Sequence, residues 1–254
     1  MEKTPERLID MFVPGFEPAN LERNYYLNQL LRYSITNSNV KLAESCWKRI
    51  HGTGHVVPDL SRLYLGFLQD KNLGARYKTV FYQLADGYGG TGVVNGGFEM
   101  ELTRLGTGWM NRFVNGVKGL IDSNISKEGK YSYRLDFDGK QNINYYHFSQ
   151  KLPLQSGKKY LLSGFWKGRE VSTRSTPFIE ISSINSQNNQ TRRSVTKRGT
   201  WEWERFEITF TVPEDAWLVR IRVRRFKTDA LDQLISGSIW LDDITLESVS
   251  EESN

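Results

Sequence analysis

Cysteine is almost missing: Cys46 is the only one in 254 residues. A single thiol excludes an intramolecular disulfide and a cysteine-built zinc cage, and it does not separate an oxidising compartment from a reducing one. Histidine is nearly as scarce, with three. Two of them, His51 and His55, lie in His-Gly-Thr-Gly-His, a stretch that reads as a helix-ending turn rather than a metal site. No apolar run is long enough to cross a bilayer. The opening Met-Glu-Lys-Thr-Pro-Glu-Arg-Leu-Ile-Asp lacks the apolar stretch of a signal peptide, so an export signal is expected to lie outside this chain.

Catalytic signatures are also lacking. There is no G-x-S-x-G elbow and no Walker loop. The stretch Asp86-Gly-Tyr-Gly-Gly-Thr-Gly92 formally contains G-x-G-x-x-G. That fingerprint needs a strand before it and a helix after it, whereas here a helical pattern precedes and a strand pattern follows. It reads as a joint. Carboxylate pairs occur at Asp136/Asp138, Glu202/Glu204 and Asp242/Asp243, but the Glu-x-Asp-x-x-Glu pattern of some jelly-roll glycosidases is absent, and His147 has no evident nucleophile partner. The expectation is a non-enzyme. The charge balance of 34 basic to 29 acidic residues, net +5, is spread along the chain and reads as solvated surface, so no nucleic-acid partner is expected.

What the chain does have is aromatic content, 13% of its residues, enough to build real cores. Residues 1–86 read as a helical region. Leu21–Ile35 places Leu21, Tyr25, Leu27, Leu30 and Leu31 near helical spacing behind Asn20 as N-cap. Val40–Ile50, a helix opened by Pro58, and Ala75–Ala85 follow. Leu27 and Leu30 recur as Leu60 and Leu63, a spacing close to the 34 residues or so of tetratricopeptide arrays. The region is therefore tetratricopeptide-like, with two units, and offers a surface for a protein partner.

From residue 93 to 248 the period becomes two. Strands are expected at Gly96–Thr103, Tyr131–Phe137, Ile143–Lys151, Lys159–Gly168, Phe178–Ile184, Thr200–Val212, Trp217–Phe226 and Ser238–Glu247. The fold class is mainly β, a jelly-roll β-sandwich behind an N-terminal α-helical region.

Several motifs fall in one order: Asn95-Gly-Gly-Phe-Glu99, Gly108-Trp109, Gly129-Lys-Tyr-Ser-Tyr-Arg-Leu135, Gly199-Thr-Trp-Glu-Trp203 and the closing Leu241-Asp-Asp-Ile-Thr-Leu246. This order resembles the galactose-binding-like jelly-roll carbohydrate-binding modules of the family 4, 9 and 22 type. The resemblance implies a non-catalytic carbohydrate-binding accessory protein in bacterial polysaccharide assembly or surface attachment, periplasmic or extracellular-facing, with a polysaccharide or oligosaccharide partner. The alternative is a structural adaptor that binds protein and no sugar.

In the resembled modules a calcium ion ties the opening strand to the closing one, which would make Glu99 and Asp242 its side-chain ligands here, with carbonyls near Gly97 and Gly129. Strand alternation puts Asp242 on the buried side with Ile244, where it needs either a cation or amide hydrogen bonds. For the sugar, the outward residues Arg134, Asp136, His147, Glu180, Arg220, Arg222 and Arg224 would line a cleft for an acidic or hydroxyl-rich glycan, or else form a cross-strand ion-pair network. Trp166 either forms a ligand platform or caps the core.

Overall fold

The computed structural model describes residues 21–87, 92–187 and 190–249. The chain divides into two compact units, one holding the residues up to Tyr77 together with Arg104–Gly106, the other holding the rest. The N-cap expected at Asn20 and the middle of the glycine-rich joint, residues 88–91, lie outside the described residues.

Four helices are present among the described residues: α1 (Leu21–Thr36), α2 (Val40–Gly52), α3 (Pro58–Asp70) and α4 (Gly74–Ala85). Helix α2 starts where Asn39 turns its side-chain oxygen to the Leu42 amide at 3.0 Å, satisfying one orphan donor of the first turn. Its buried stripe is Leu42, Ala43, Cys46, Trp47 and Ile50. Helix α3 opens on Pro58, whose missing N–H costs nothing there, and buries Leu60, Tyr64, Leu65, Phe67 and Leu68. Trp47 and Tyr64 stack with ring centroids 4.8 Å apart, locking α2 to α3. Tyr25, expected on the buried stripe of α1, is 60% exposed instead. The divide between units falls inside α4, at Tyr77 and Lys78, rather than in the glycine-rich joint.

The second unit is a sandwich of two five-stranded antiparallel sheets. Its strands are β1 (Met110–Asn111), β2 (Val117–Asp122), β3 (Ser132–Asp138), β4 (Phe148–Pro153), β5 (Lys159–Val171), β6 (Phe178–Ser183), β7 (Thr191–Arg193), β8 (Gly199–Thr211), β9 (Leu218–Arg224) and β10 (Ser236–Ser248). One sheet runs β1-β4-β9-β6-β7 and the other β2-β3-β10-β5-β8. Alternation fills the space between them with Leu135, Leu162, Ile179, Ile221, Ile239 and Leu241. Phe148 anchors an aromatic stack, parallel to Tyr133 at 3.8 Å and to Trp109 at 4.7 Å.

The segment expected as an opening strand, Gly96–Thr103, forms no strand. Asn95 and Phe98 both adopt positive φ, 51° and 57°, which breaks an extended run. The Asn95 side chain instead closes a turn, donating to the Met100 carbonyl at 2.7 Å and accepting its amide at 3.2 Å. The turn drives Phe98 fully into the core. Three hydrogen bonds hold this segment in place. Gln150 clasps Val94 through both its amide atoms, at 2.8 and 2.9 Å, and the Ile244 amide donates to the Gly96 carbonyl at 3.0 Å. A Cβ on Gly96 would lie 1.9 Å from the Ile244 carbonyl oxygen, so only glycine fits there.

Candidate functional site

The named site residues separate into four places. Trp166 on β5 is 1% exposed, edge-on to Trp201 with centroids 5.2 Å apart. It faces the core, which removes it as a platform for a ligand in solvent; of the two roles set out for it, capping the core is the one its position allows.

Arg134 and Asp136 lie on the outer face of the β2-β3-β10-β5-β8 sheet. Arg134 donates to Asp136 at 2.6 Å and lies over the ring of Trp240, 5.1 Å from its centroid. Arg169 covers the same ring at 5.3 Å, and the Trp240 indole N–H donates to Asp122 Oδ2 at 2.8 Å. Burial pushes the Asp122 carboxyl up, but the bonds from Trp240 and Asn124 and the charge of Arg134 outweigh it and hold the group below the usual range. These side chains partner one another and leave the tryptophan with no exposed face.

Glu99 and Asp242 meet the same loop. Glu99 Oε1 accepts the amides of Lys130 and Tyr131 at 2.8 and 3.1 Å. Asp242 Oδ2 accepts those of Lys127 and Glu128 at 2.7 and 3.2 Å, and Oδ1 that of Asp243 at 2.7 Å. Burial lifts the Asp242 carboxyl to about 6 against these bonds. Asp242 is fully buried, but not on the side that simple alternation gives. The β10–β5 register shifts between Asp242 and Thr245, and Asp243 takes φ 46°. This bulge turns Ile244 into the core while Asp242 stays opposite Phe165 on the outer face, buried beneath the 127–128 backbone. Both carboxylates supply the hard oxygen that calcium prefers, yet among the described residues no group of three or more acidic, histidine or cysteine side chains gathers. A full shell there needs backbone carbonyls, and the contacts now made by the carboxylates are to amides.

The remaining residues come together on the outer face of the β1-β4-β9-β6-β7 sheet. Register places Ser149 of β4 opposite Arg222 of β9, Arg222 opposite Glu180 of β6, and Glu180 opposite Arg193 of β7. Glu180 is 2% exposed in its side chain. Its Oε1 accepts Arg222 Nε at 2.6 Å and its Oε2 faces Arg193 Nε at 3.3 Å. Arg224, one step along β9, donates to the carbonyls of Tyr145 and Arg225 at 3.0 and 2.7 Å and to the Asn144 side chain. Its guanidinium stacks on Phe226 at 4.0 Å and lies 5.6 Å from the Tyr146 ring centroid. The Arg193 guanidinium also lies over rings here, 5.0 Å from the centroid of Phe226 and 5.1 Å from that of Phe178. Tyr146 stacks in turn on His147 at 4.4 Å. Burial, Arg112 and Arg224 hold the His147 imidazole below its usual range, hence neutral near pH 7.

Two rings on this face reach solvent: Tyr146 is 43% exposed and Phe226 39%. Rigid rings held by stacked guanidiniums can pack on the C–H face of a sugar, and the arginine N–H groups around them can pair its hydroxyls. The sequence reading missed Tyr146, Phe226 and Arg193. Tyr146 and Phe226 sit just outside regular strands, where alternation no longer says which way a side chain points. The available signal was composition, in Tyr145-Tyr146-His147 and Arg224-Arg225-Phe226. The seven residues expected to line one cleft thus divide between two faces: Glu180, Arg220, Arg222, Arg224 and His147 on one, Arg134 and Asp136 on the other.

No protein-family model and no curated protein matches the chain. Solved structures do. The chain is similar to jelly-roll carbohydrate-binding modules. One is the CBM22-1 xylan-binding domain of Paenibacillus barcinonensis Xyn10C, 17% identical over 61% of this chain and 93% of that one, TM-score 0.42. Another is TmCBM61, solved with β-1,4-galactotriose, 18% identical over 63% of this chain and all of that one, TM-score 0.42. The enzymatically active domain of bacteriophage CBA120 tailspike protein 4 also matches, 14% identical over 63% of this chain but only 21% of that one, TM-score 0.44.

Proposed function

We propose that the β unit is a non-catalytic carbohydrate-binding module whose ligand lies on the outer face of the β1-β4-β9-β6-β7 sheet. One observation carries this reading: Tyr146 and Phe226 present solvent-facing rings that are fixed by the Arg224 and Arg193 guanidiniums beside the buried Glu180. The strands of this face contain one acidic residue, Glu180, and both its oxygens are engaged by arginines. A two-carboxylate glycosidase needs a second acid roughly 5–10 Å away, so the face favours holding a glycan over cleaving it.

The wider reading follows the same line. The protein acts as an accessory in bacterial polysaccharide assembly or surface attachment, in the periplasm or facing outside the cell. The tetratricopeptide-like helices contact a protein partner. A structural calcium ion at Glu99 and Asp242 is part of this proposal, supported by the convergence of both carboxylates on residues 127–131.

The test is affinity electrophoresis of the full chain through gels holding single neutral and acidic polysaccharides. Retardation by a glycan class, abolished in Tyr146→Ala and Phe226→Ala with unchanged melting, supports the reading. Retardation that survives both substitutions moves the ligand elsewhere. Absence of retardation on every gel leaves the adaptor alternative. New reducing ends after incubation would overturn the non-catalytic assignment.

A further inference from the structure

The same face holds more positive charge than its one glutamate can meet. We propose that its ligand is an acidic polysaccharide, with carboxylate or sulfate groups received by Arg220 and Arg112. This rests on the reading of the β unit as a carbohydrate-binding module and narrows it to one ligand class.

Outward positions on the strands of this face supply Arg193, Arg220, Arg222 and Arg224 against Glu180 alone. Glu180 is already shared by Arg222 and Arg193. Arg224 is turned to carbonyls and rings. Arg220, opposite Lys151 and Ser182 in the register, has no carboxylate partner among the described residues. The same is true of Arg112, an exposed residue just after β1 whose amide donates to the His147 carbonyl at 3.1 Å.

The crowding is felt. Burial and then the charges of Arg222 and Arg112 press the Arg220 guanidinium below its usual range, with Glu180 opposing. Cations held close by a sheet register, without counter-charges of their own, gain more from an anionic ligand than from a neutral one. A guanidinium fork matches a carboxylate or sulfate in two parallel hydrogen bonds. The hydroxyl of Ser149, in the same row as Arg222, suits a sugar hydroxyl, and the reading of the unit as a carbohydrate-binding module favours an acidic glycan over a nucleic acid.

The experiment compares polygalacturonate with the same polymer after carboxyl reduction, and dextran sulfate with dextran, in affinity gels of the full chain. The expected result is retardation by a charged polymer and none by its uncharged counterpart. It should fade as salt rises towards about 1 M, where the screening length falls to about 3 Å. Arg112→Ala/Arg220→Ala should weaken binding by about tenfold or more, about 1.4 kcal/mol, with melting unchanged. Response to polygalacturonate alone assigns the groups as carboxylates, and to dextran sulfate alone as sulfates. Equal retardation by the uncharged polymers would overturn the inference and leave the carbohydrate-binding reading intact. Displacement by single-stranded DNA at equal charge concentration would overturn it in favour of a nucleic-acid ligand. Silence on all four gels would overturn it too, and gels of other neutral glycans would then decide whether the wider reading falls with it.

Discussion

Glu180 accepts the Nε–H of Arg222 at 2.6 Å from a site 2% open to solvent, and a second arginine, Arg193, closes on its other oxygen at 3.3 Å. A charge so enclosed is tolerated only with its partners present. Glu180→Gln removes the one negative charge among several positive ones, and breaking such a pair costs roughly 3–5 kcal/mol. Urea denaturation should show that loss, and high salt should return part of it by screening the arginines. A loss under about 0.5 kcal/mol, the level of an ordinary surface change, would show that the pair does not hold the face together.

The bond between Asp122 and the Trp240 indole makes a pH-dependent prediction. Asp122→Ala leaves a buried N–H without its acceptor, at a cost of about 1–3 kcal/mol. Asp122→Asn keeps an acceptor and loses the charge facing Arg134, so it should cost less. The native carboxyl titrates below its usual 3.8, so its charge stabilises the fold above that value and ceases to as pH falls through the lower folded value. The gap in stability between the native protein and Asp122→Asn should therefore be full at neutral pH and narrow below pH 3.8. A gap constant down to strong acid would contradict this account.

Arg225 is fully buried and binds backbone instead of an acid: the carbonyls of Ser175 at 2.9 Å and Gln233 at 2.7 Å, and that of Ile143. Arg225→Met keeps much of the volume and leaves these carbonyls unpaired. Each unmade bond costs about 1–3 kcal/mol, and the segments near residues 142–144 and 228–235 should exchange amide hydrogens faster. Arg225→Lys should rescue little, because one ammonium cannot reproduce the planar fork. Full rescue by lysine would show that charge alone matters at this position.

For the calcium proposal, melting in calcium and in chelator gives the answer. Binding to the native state alone at a hundredfold excess over Kd adds about 2.7 kcal/mol. Calcium should raise the melting temperature of the native protein and leave Asp242→Asn unmoved. Identical melting in chelator and in calcium would leave the amides of residues 127–131 as the whole explanation of both carboxylates.

The long strands were legible because alternation persists along them. Val219, Ile221 and Val223 face the core while Arg220 and Arg222 face away, as their period-two spacing requires. Strand β2, Val-Lys-Gly-Leu-Ile-Asp, escaped because only its last residue, Asp122, is buried and it carries Gly119 in its middle, so neither alternation nor a buried run marks it. Asp242 was misplaced by a single bulged residue, since one extra residue reverses every later parity in a strand. Glu180 and Arg222 were found as outward polar positions, but which of two outward faces a residue joins depends on sheet order, and the pattern within a strand is silent on that. Arg134 and Asp136 were grouped with them for this reason.

The clasp between the first and last parts of the sandwich also sets a timetable for its synthesis. Strand β10 is the middle strand of its sheet, flanked by β3 and β5, and it also fixes Gly96. On the ribosome, where chains emerge N-terminus first, β3 and β5 must wait without their shared neighbour while the intervening residues are made. Neither the sheet nor the opening turn can settle until the segment Ser236–Ser248 is clear of the exit tunnel. A nascent chain arrested before that point holds a sandwich with its central strand missing, and the facing edges of β3 and β5 carry unpaired backbone groups open to wrong pairing.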